Sequence, residues 1–301
     1  MFKNARFFRL IEPRGIAAER LEERLSSRRF RPCGPAETVT LGWYPPFGDE
    51  EGALVHAANG CLLFCARRQE RLLPSSVVAE AVDEKVAELE DREGRNVGRA
   101  ERRRLREEVV IDLLPRAFTR SRQVRAYMDP VAAWMLVDAA SEKGAEEVAS
   151  LLRETLGSLP VHPPRPERAT PNLMTQWIAE GRMPEGLTLE DECELRDAQD
   201  ERSVVRCRGQ DLRGEEISTH LRAGKQAVKL ALSWRERLSF VMQEDVSLKR
   251  LRFADALTDE ALDPEIEDEA ARFDAEFAIM ALEMRELLAC LGDAFGLTGE
   301  A

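Results

Sequence analysis

Residues 225–253 read KQAVKLALSWRERLSFVMQEDVSLKRLRF. Three runs of alternating apolar and polar residues stand in this stretch, at 226–234, 237–243 and 247–253, and the turns between them are too short for a crossover helix. Strands joined so closely pair antiparallel, and the stretch reads as a meander. Just upstream, 187–195 and 203–208 add two strands and 214–223 a helix. Downstream, a helix over about 265–292 carries Phe273, Phe277, Met280, Met284, Leu287 and Leu291 as one apolar stripe beneath an acidic face.

The first half follows the same logic. A strand at 6–12 leads to a helix at 15–27 with Ala18, Leu21 and Leu25 on one face, and the stretch TVTLGWYPP gives the next strand. Strands at 53–57 and 61–67 turn at Asn59-Gly60, a strong two-residue turn signal. Further strands stand at 122–128 and 132–138, and Ser141 caps a helix through Leu156 that Gly157 ends. A short helix follows at 172–180. Between these strands, 77–114 is built of helix formers. Val78, Val82, Val86 and Leu89 make one stripe, and Leu105, Val109, Leu113 and Leu114 make a second. Residues 94–98 interrupt them, so the segment reads as a helical hairpin projecting from the sheet. The expected fold class is α+β, with mostly antiparallel sheets. The chain divides into an α+β region in two parts, 1–74 and 119–165, with the hairpin at 75–118 between them. A second α+β region covers 166–254 and an acidic C-terminal segment 255–301. The proline-rich stretch LPVHPPRPERATP marks the boundary near 165.

With 301 residues, 44% hydrophobic and 33% charged, the composition is that of a folded chain, long enough for two or three domains. No apolar run approaches the ~20 residues that span a bilayer. The opening MFKNARFFRLIEPRG has no cleavable apolar core, and six cysteines are too few for a disulfide framework, so a reduced cytoplasmic protein is expected. The net charge is -12, but residues 255–286 alone hold twelve Asp or Glu against Arg272 and Arg285. The rest of the chain is therefore close to neutral, and local basic patches decide polyanion binding there.

Several catalytic chemistries are not supported. Gly224-Lys225 is followed by Gln226, so the phosphate-loop pattern fails, and neither GxGxxG, HExxH nor GxSxG occurs. The segment from Asp263 to Glu269 lacks the glycine and ligand spacing of an EF-hand and reads as a solvated helix face. Cys61 and Cys65 share a strand face near His56, but a structural zinc site needs a second ligand pair, so core thiols are favoured. Glu190, Asp191, Glu192 and Glu194 are the carboxylates a metal-dependent nuclease would use, yet their spacing fits no nuclease motif. No cofactor or metal is expected.

Arginine on strands is the positive signal. Arg116, Arg120, Arg122 and Arg125 stand in a stretch with no acid between Leu113 and Tyr127. Phe118 sits among them, as a core anchor or an interface residue. Alternation puts Arg206 and Arg208 on one strand face, Lys229 opposite Val228, Leu230, Leu232 and Trp234, and Arg250 and Arg252 opposite Leu251 and Phe253. A sheet built so offers a basic wall. Duplex DNA fits it better than a single strand, because exposed aromatics for stacking are scarce. The competing view is that such arginines are only solvated or paired with Glu.

The chain resembles the bacterial recombination-associated protein RdgC family over nearly its full length. The resemblance rests on FRPCGP at 30–35, GWYPP at 42–46, LLPRAF at 113–118, LGSLPV at 156–161 and QDLRGEEI at 210–217. It continues with AGK at 223–225, KLALSW at 229–234, LKRLRF at 248–253 and ARFDAEF at 271–277. It implies a non-enzymatic, nucleoid-associated protein that binds double-stranded DNA with little sequence preference and restrains the RecA recombinase. It also implies a horseshoe subunit closing into a ring-shaped homodimer around the duplex, with the hairpin as tip and the 187–254 region as base. By the same resemblance Phe118 belongs to the contact that gates the ring. Residues just before the QDL motif, here Arg208, Gly209 and Gln210, face the hole, with Gly209 where a lysine is common. The residues expected to meet DNA are Arg116, Arg120, Arg206, Arg208, Gln210, Lys225, Lys229 and Lys249. The acidic segment is expected on the outer surface, away from DNA. The rival reading is a regulator that contacts the recombinase through its acidic helix and has no DNA role.

Overall fold

The computed structural model describes residues 1–11, 17–48, 50–254 and 268–297. The first half runs β1 (Asn4–Leu10), α1 (Ala18–Ser26), β2 (Val39–Tyr44), β3 (Val55–Ala58) and β4 (Cys61–Leu72). Two helices follow, α2 (Ser75–Glu93) and α3 (Arg99–Leu113), then a 3-10 turn (Leu114–Arg116). After it come β5 (Phe118–Asp129), β6 (Trp134–Val137), α4 (Glu142–Leu156) and β7 (Val161–His162). The second half is α5 (Thr170–Glu180), β8 (Leu187–Asp197), β9 (Val204–Arg208), α6 (Glu215–Arg222), β10 (Lys225–Trp234), β11 (Leu238–Gln243), β12 (Leu248–Phe253) and α7 (Glu269–Phe295). The expected strand at residue 12, the helix start at 15–16 and the acidic stretch 255–267 lie outside the described residues.

The class is α+β. The strands form one antiparallel sheet in the order β2-β4-β5-β6-β1-β12-β11-β10-β8-β9, with β3 paired to β4 and β7 to β1. The meander at 225–253 is real: Arg235 and Glu236 adopt positive φ in its first tight turn, and Val246 does so in its second. Asn59 and Gly60, at φ 49 and 76, make the two-residue turn that their pairing announces. Ser141 Oγ accepts from Gly144 N at 3.2 Å and caps α4, and Gly157 closes that helix at φ 80.

Two details differ from the sequence expectation. β5 begins at Phe118, four residues before the expected start, because 118–121 pair with 69–72 of β4. Residues 118–123 are exposed on both faces, so no apolar alternation marks them. The proline-rich boundary is also tied into the sheet, since Leu10 pairs with Val161 and Arg9 with His162.

Helices cover the sheet unequally. On one side α5, α6 and α7 bury Trp177, Ile217, Met284 and Leu287 against Phe7, Leu63, Leu230 and Phe240. On the other side α1 and α4 bury Leu21, Leu25, Val148 and Leu152 against Phe8, Phe64 and Met128. That second cover reaches only the first half of the sheet. α2 and α3 pack on each other around Val78, Val82, Val86 and Val109.

The apolar stripe of α7 is as expected, but its acidic face is less free than the sequence suggested. Asp274 meets His56 Nε2 at 2.9 Å, Glu283 meets Arg237 at 2.8 Å, and Glu286 pairs with Arg235. Arg285 Nε donates to the buried Asp129 at 2.6 Å, which ties α7 to the end of β5. No described helix is long and apolar enough to cross a membrane.

β1 is the joint of this fold. Asn4 and Ala5 pair with β12, while 6–9 pair with β6. Phe7 is buried at 4% exposure and meets Trp134 edge-on at 6.4 Å. Phe7→Ala removes a ring that both halves pack on and is expected to cost about 3–5 kcal/mol. Urea denaturation followed by tryptophan fluorescence checks this, and loss of one cooperative transition for both halves is the expected form.

Candidate nucleic-acid interface

In the second half of the sheet, the inward side is fixed by burial. Cys193 and Leu195 of β8, Cys207 of β9, Leu230 and Leu232 of β10, Phe240 of β11 and Leu248 of β12 all point to α5, α6 and α7. Alternation sends their neighbours to the opposite side. There β9 presents Arg206 and Arg208, β8 presents Glu192 and Glu194, and β10 presents Lys229. On β12, Arg250 has φ 55, and both Leu248 and Leu251 remain buried. That extra residue is a bulge, and it leaves Lys249 and Arg250 together on the outward side, with Arg252 opposite Ser239. Among the described residues no helix packs on this side of β8 to β12.

The wall is therefore cationic but not purely so. Arg206 Nε and Lys229 Nζ each lie 2.8 Å from Glu194 Oε2. Arg208 Nε is 3.5 Å from Glu192, and Arg250 Nη2 is 2.8 Å from it. Arg250 and Glu192 sit on strands separated by β11 and β10. The register between β8 and β10 also shifts from Leu230/Cys193 to Leu232/Leu189, which throws 190–192 out as a bulge. Burial pushes the Glu194 carboxyl up, but hydrogen bonds from Lys229 and Arg206 outweigh it and hold the group below the ordinary carboxylate range. Burial and the neighbouring Asp191 push Glu190 the other way.

The sequence-derived residues do not all converge. Arg206, Arg208, Lys229 and Lys249 share the open side. Gln210 follows the positive-φ Gly209, and its N donates to Asp191 O at 3.3 Å beside the acidic bulge. Lys225 does not join them, because it pairs with Asp197 on the side of Ala227 and Leu195, and its Nζ donates to Ser203 O at 3.0 Å. The bulge between Ala227 and Lys229 reverses the faces, so Ala227, not Val228, joins the core cluster.

Arg120 lies in the first half, ion-paired with Glu70 of β4. It points to the side of Val124, which is the side of Phe8. Alternation along β1 carries that side from Phe8 to Asn4, which pairs with Lys249. Arg120 and the open wall thus face the same way. With Arg68, Arg122 and Lys143 it lines a cleft that also holds Glu70 and Glu147.

Arg116 ends the 3-10 turn and is exposed. Phe118 is 85% exposed, which removes the core-anchor reading, and it stands across from the half-exposed Leu72. The turn that presents it is held by Arg71, whose Nη1 donates to the carbonyls of Leu114, Pro115 and Ala117 at 3.0, 3.2 and 3.2 Å. Its Nη2 reaches Gly34 O at 3.2 Å. Arg71 carries no signal in the sequence, whereas Arg250 and Arg252, which alternation along 248–253 places on one face of the basic wall, do share the open side.

Cys61 and Cys65 are buried, and desolvation pushes both thiols up to about 11, so they behave as core groups. Glu192 and Glu194, from the candidate nuclease cluster, are each occupied by two cations.

A family model described as "Putative exonuclease, RdgC" matches residues 1–298. The chain is also 42% identical over 300 residues to the recombination-associated proteins RdgC of Salmonella paratyphi B and Salmonella typhimurium. Each match covers 100% of this chain and 98% of the relative. The chain belongs to the RdgC family. The relatives carry a recombination name and the family model an exonuclease name.

Arg71→Met keeps the apolar stem and removes the guanidinium that gathers the 114–117 carbonyls. It is expected to cost about 2–3 kcal/mol. Faster amide exchange at 117–119, with β10 unchanged, is the local signature to measure.

Proposed function

We propose that this protein is a sequence-independent double-stranded DNA-binding protein, acting as a homodimer that encircles the duplex and restrains RecA-mediated recombination without enzymatic activity. The observation that carries this reading is the uncovered side of β8 to β12. It presents Arg206, Arg208, Lys229, Lys249, Arg250 and Arg252 on neighbouring strands, and Arg120 and its cleft face the same way. Cations spaced along strands suit phosphates, which need placed charge and no base contact. The part of α7 that carries Glu283 and Glu286 packs on the opposite side of the sheet, where its charge repels DNA least. In this reading 1–74 and 119–165 form the centre of a horseshoe, the α2–α3 pair its tip and 166–254 its base.

The ring needs two self-complementary contacts, and the exposed Phe118 with Leu72 supplies apolar surface for one of them. The second reading, a nuclease, has the wording of the family description and the Glu190–Glu194 cluster behind it. Four cations already hold Glu192 and Glu194, an arrangement better suited to tuning phosphate contact than to gathering a metal ion.

Fluorescence anisotropy of a random-sequence duplex, titrated over a salt series, tests the binding. A log-log slope of several units is expected, and Arg206→Glu with Arg208→Glu should lower affinity by roughly tenfold or more. If inhibition of recombinase strand exchange survives that double change, the protein-contact rival leads. Magnesium-dependent cleavage abolished by chelator would install the nuclease instead.

Phe118→Ala is expected to speed dissociation from closed circular duplex several-fold while leaving dissociation from short linear duplex unchanged. Equal circle lifetimes for both proteins remove Phe118 from the gate.

A further inference from the structure

We infer that Glu192 and Glu194 are built-in competitors for the DNA phosphates, each holding in the free protein two of the cations that the duplex backbone would take. The inference rests on the duplex reading above and concerns how tightly that same wall holds its partner.

The geometry is one of anchored acids beneath mobile cations. The Glu194 side chain is only 14% exposed and that of Glu192 25%, whereas Arg206 and Arg208 are 74% and 76% exposed. A long arginine swings toward a phosphate at little cost, and a carboxylate rooted in the sheet face does not swing away. When a phosphate arrives, Arg206 and Lys229 are drawn from Glu194, and Arg208 and Arg250 from Glu192. The phosphate then sits above an uncompensated carboxylate. Part of the attraction is cancelled by this like-charge contact, and part by the partner the carboxylate has lost.

The effect has a counterion signature. Each phosphate neutralised by the protein releases a cation from the DNA atmosphere, and that release makes binding salt-dependent. A carboxylate stripped of its arginine or lysine takes a cation back from solution, which offsets one release. The wall therefore shows a smaller salt slope than its six cations imply. A duplex held this loosely exchanges its phosphates from one cation to the next without a large barrier.

Glu194→Gln keeps the side-chain size and the ability to accept a hydrogen bond while deleting the charge. On a fluorescent random-sequence duplex it is expected to raise affinity roughly threefold to tenfold at fixed salt. It should also steepen the salt slope by about one unit. Glu192→Gln should act in the same direction. Glu269→Gln, in the first turn of α7 on the other side of the sheet, makes the same change in net charge and should do neither. Melting curves matching the parent protein establish that the variants fold. Tighter and more salt-dependent binding by Glu194→Gln or Glu192→Gln, beyond the Glu269→Gln control, supports the inference. Duplex binding that ignores both changes, or follows net charge alone, overturns it and leaves the duplex reading standing. Absence of duplex binding by every form at low salt overturns both.

Discussion

Seven residues, Asn4–Leu10, hold the two halves of this molecule in one sheet. One end of β1 pairs with Leu248 and Lys249 of β12, and the rest pairs with β6 and with Val161 and His162. Its side chains divide the same way. Ala5 and Phe7 enter the core under α7, and Phe8 and Leu10 enter the core under α1 and α4. Because alternation does not break along β1, the outward side of the second half and the α4 side of the first half are one surface. That continuity is what turns Arg120 and the cations of β9, β10 and β12 to one side.

Much of this fold was legible in the sequence because its signals are local. The Asn59-Gly60 turn, the Ser141 cap, Gly157 and the α7 stripe are each set by a few neighbouring residues, and each stands where the pattern put it. What was not legible is what strands do when both faces are wet or when registers slip. Residues 118–121 lack alternation, yet pair fully with β4. The two-residue β7 is fixed only by its partner, β1.

The wall was half legible. Strand alternation gives Arg206 and Arg208 without help. It fails at Lys225 and Lys249 because in each strand a bulge inserts a residue and exchanges the faces beyond it. The carboxylates on the wall were visible as a cluster, but their meaning changed on folding. Read along the chain they are a run of carboxylates whose spacing fits no nuclease motif. Across the sheet, Glu194 joins β9 to β10, and Glu192 joins β9 to β12. Phe118 was ambiguous for a different reason. A large apolar residue among arginines is compatible with core or surface until the turn that holds it is known, and that turn is set by Arg71, more than forty positions away.

The α2–α3 pair has a core of its own, four buried valines with Leu73, Leu105 and Leu113 around them. Four valines bury far less apolar area than either main core, so the free energy that separates these helices is a fraction of that which unfolds the sheet. The pair is a lever with a weak internal bond, attached through Pro74 and the 114–116 turn to a stiff twelve-stranded frame. By that inequality the pair opens at lower cost than the sheet does, and no strand of the frame need shift register when it opens.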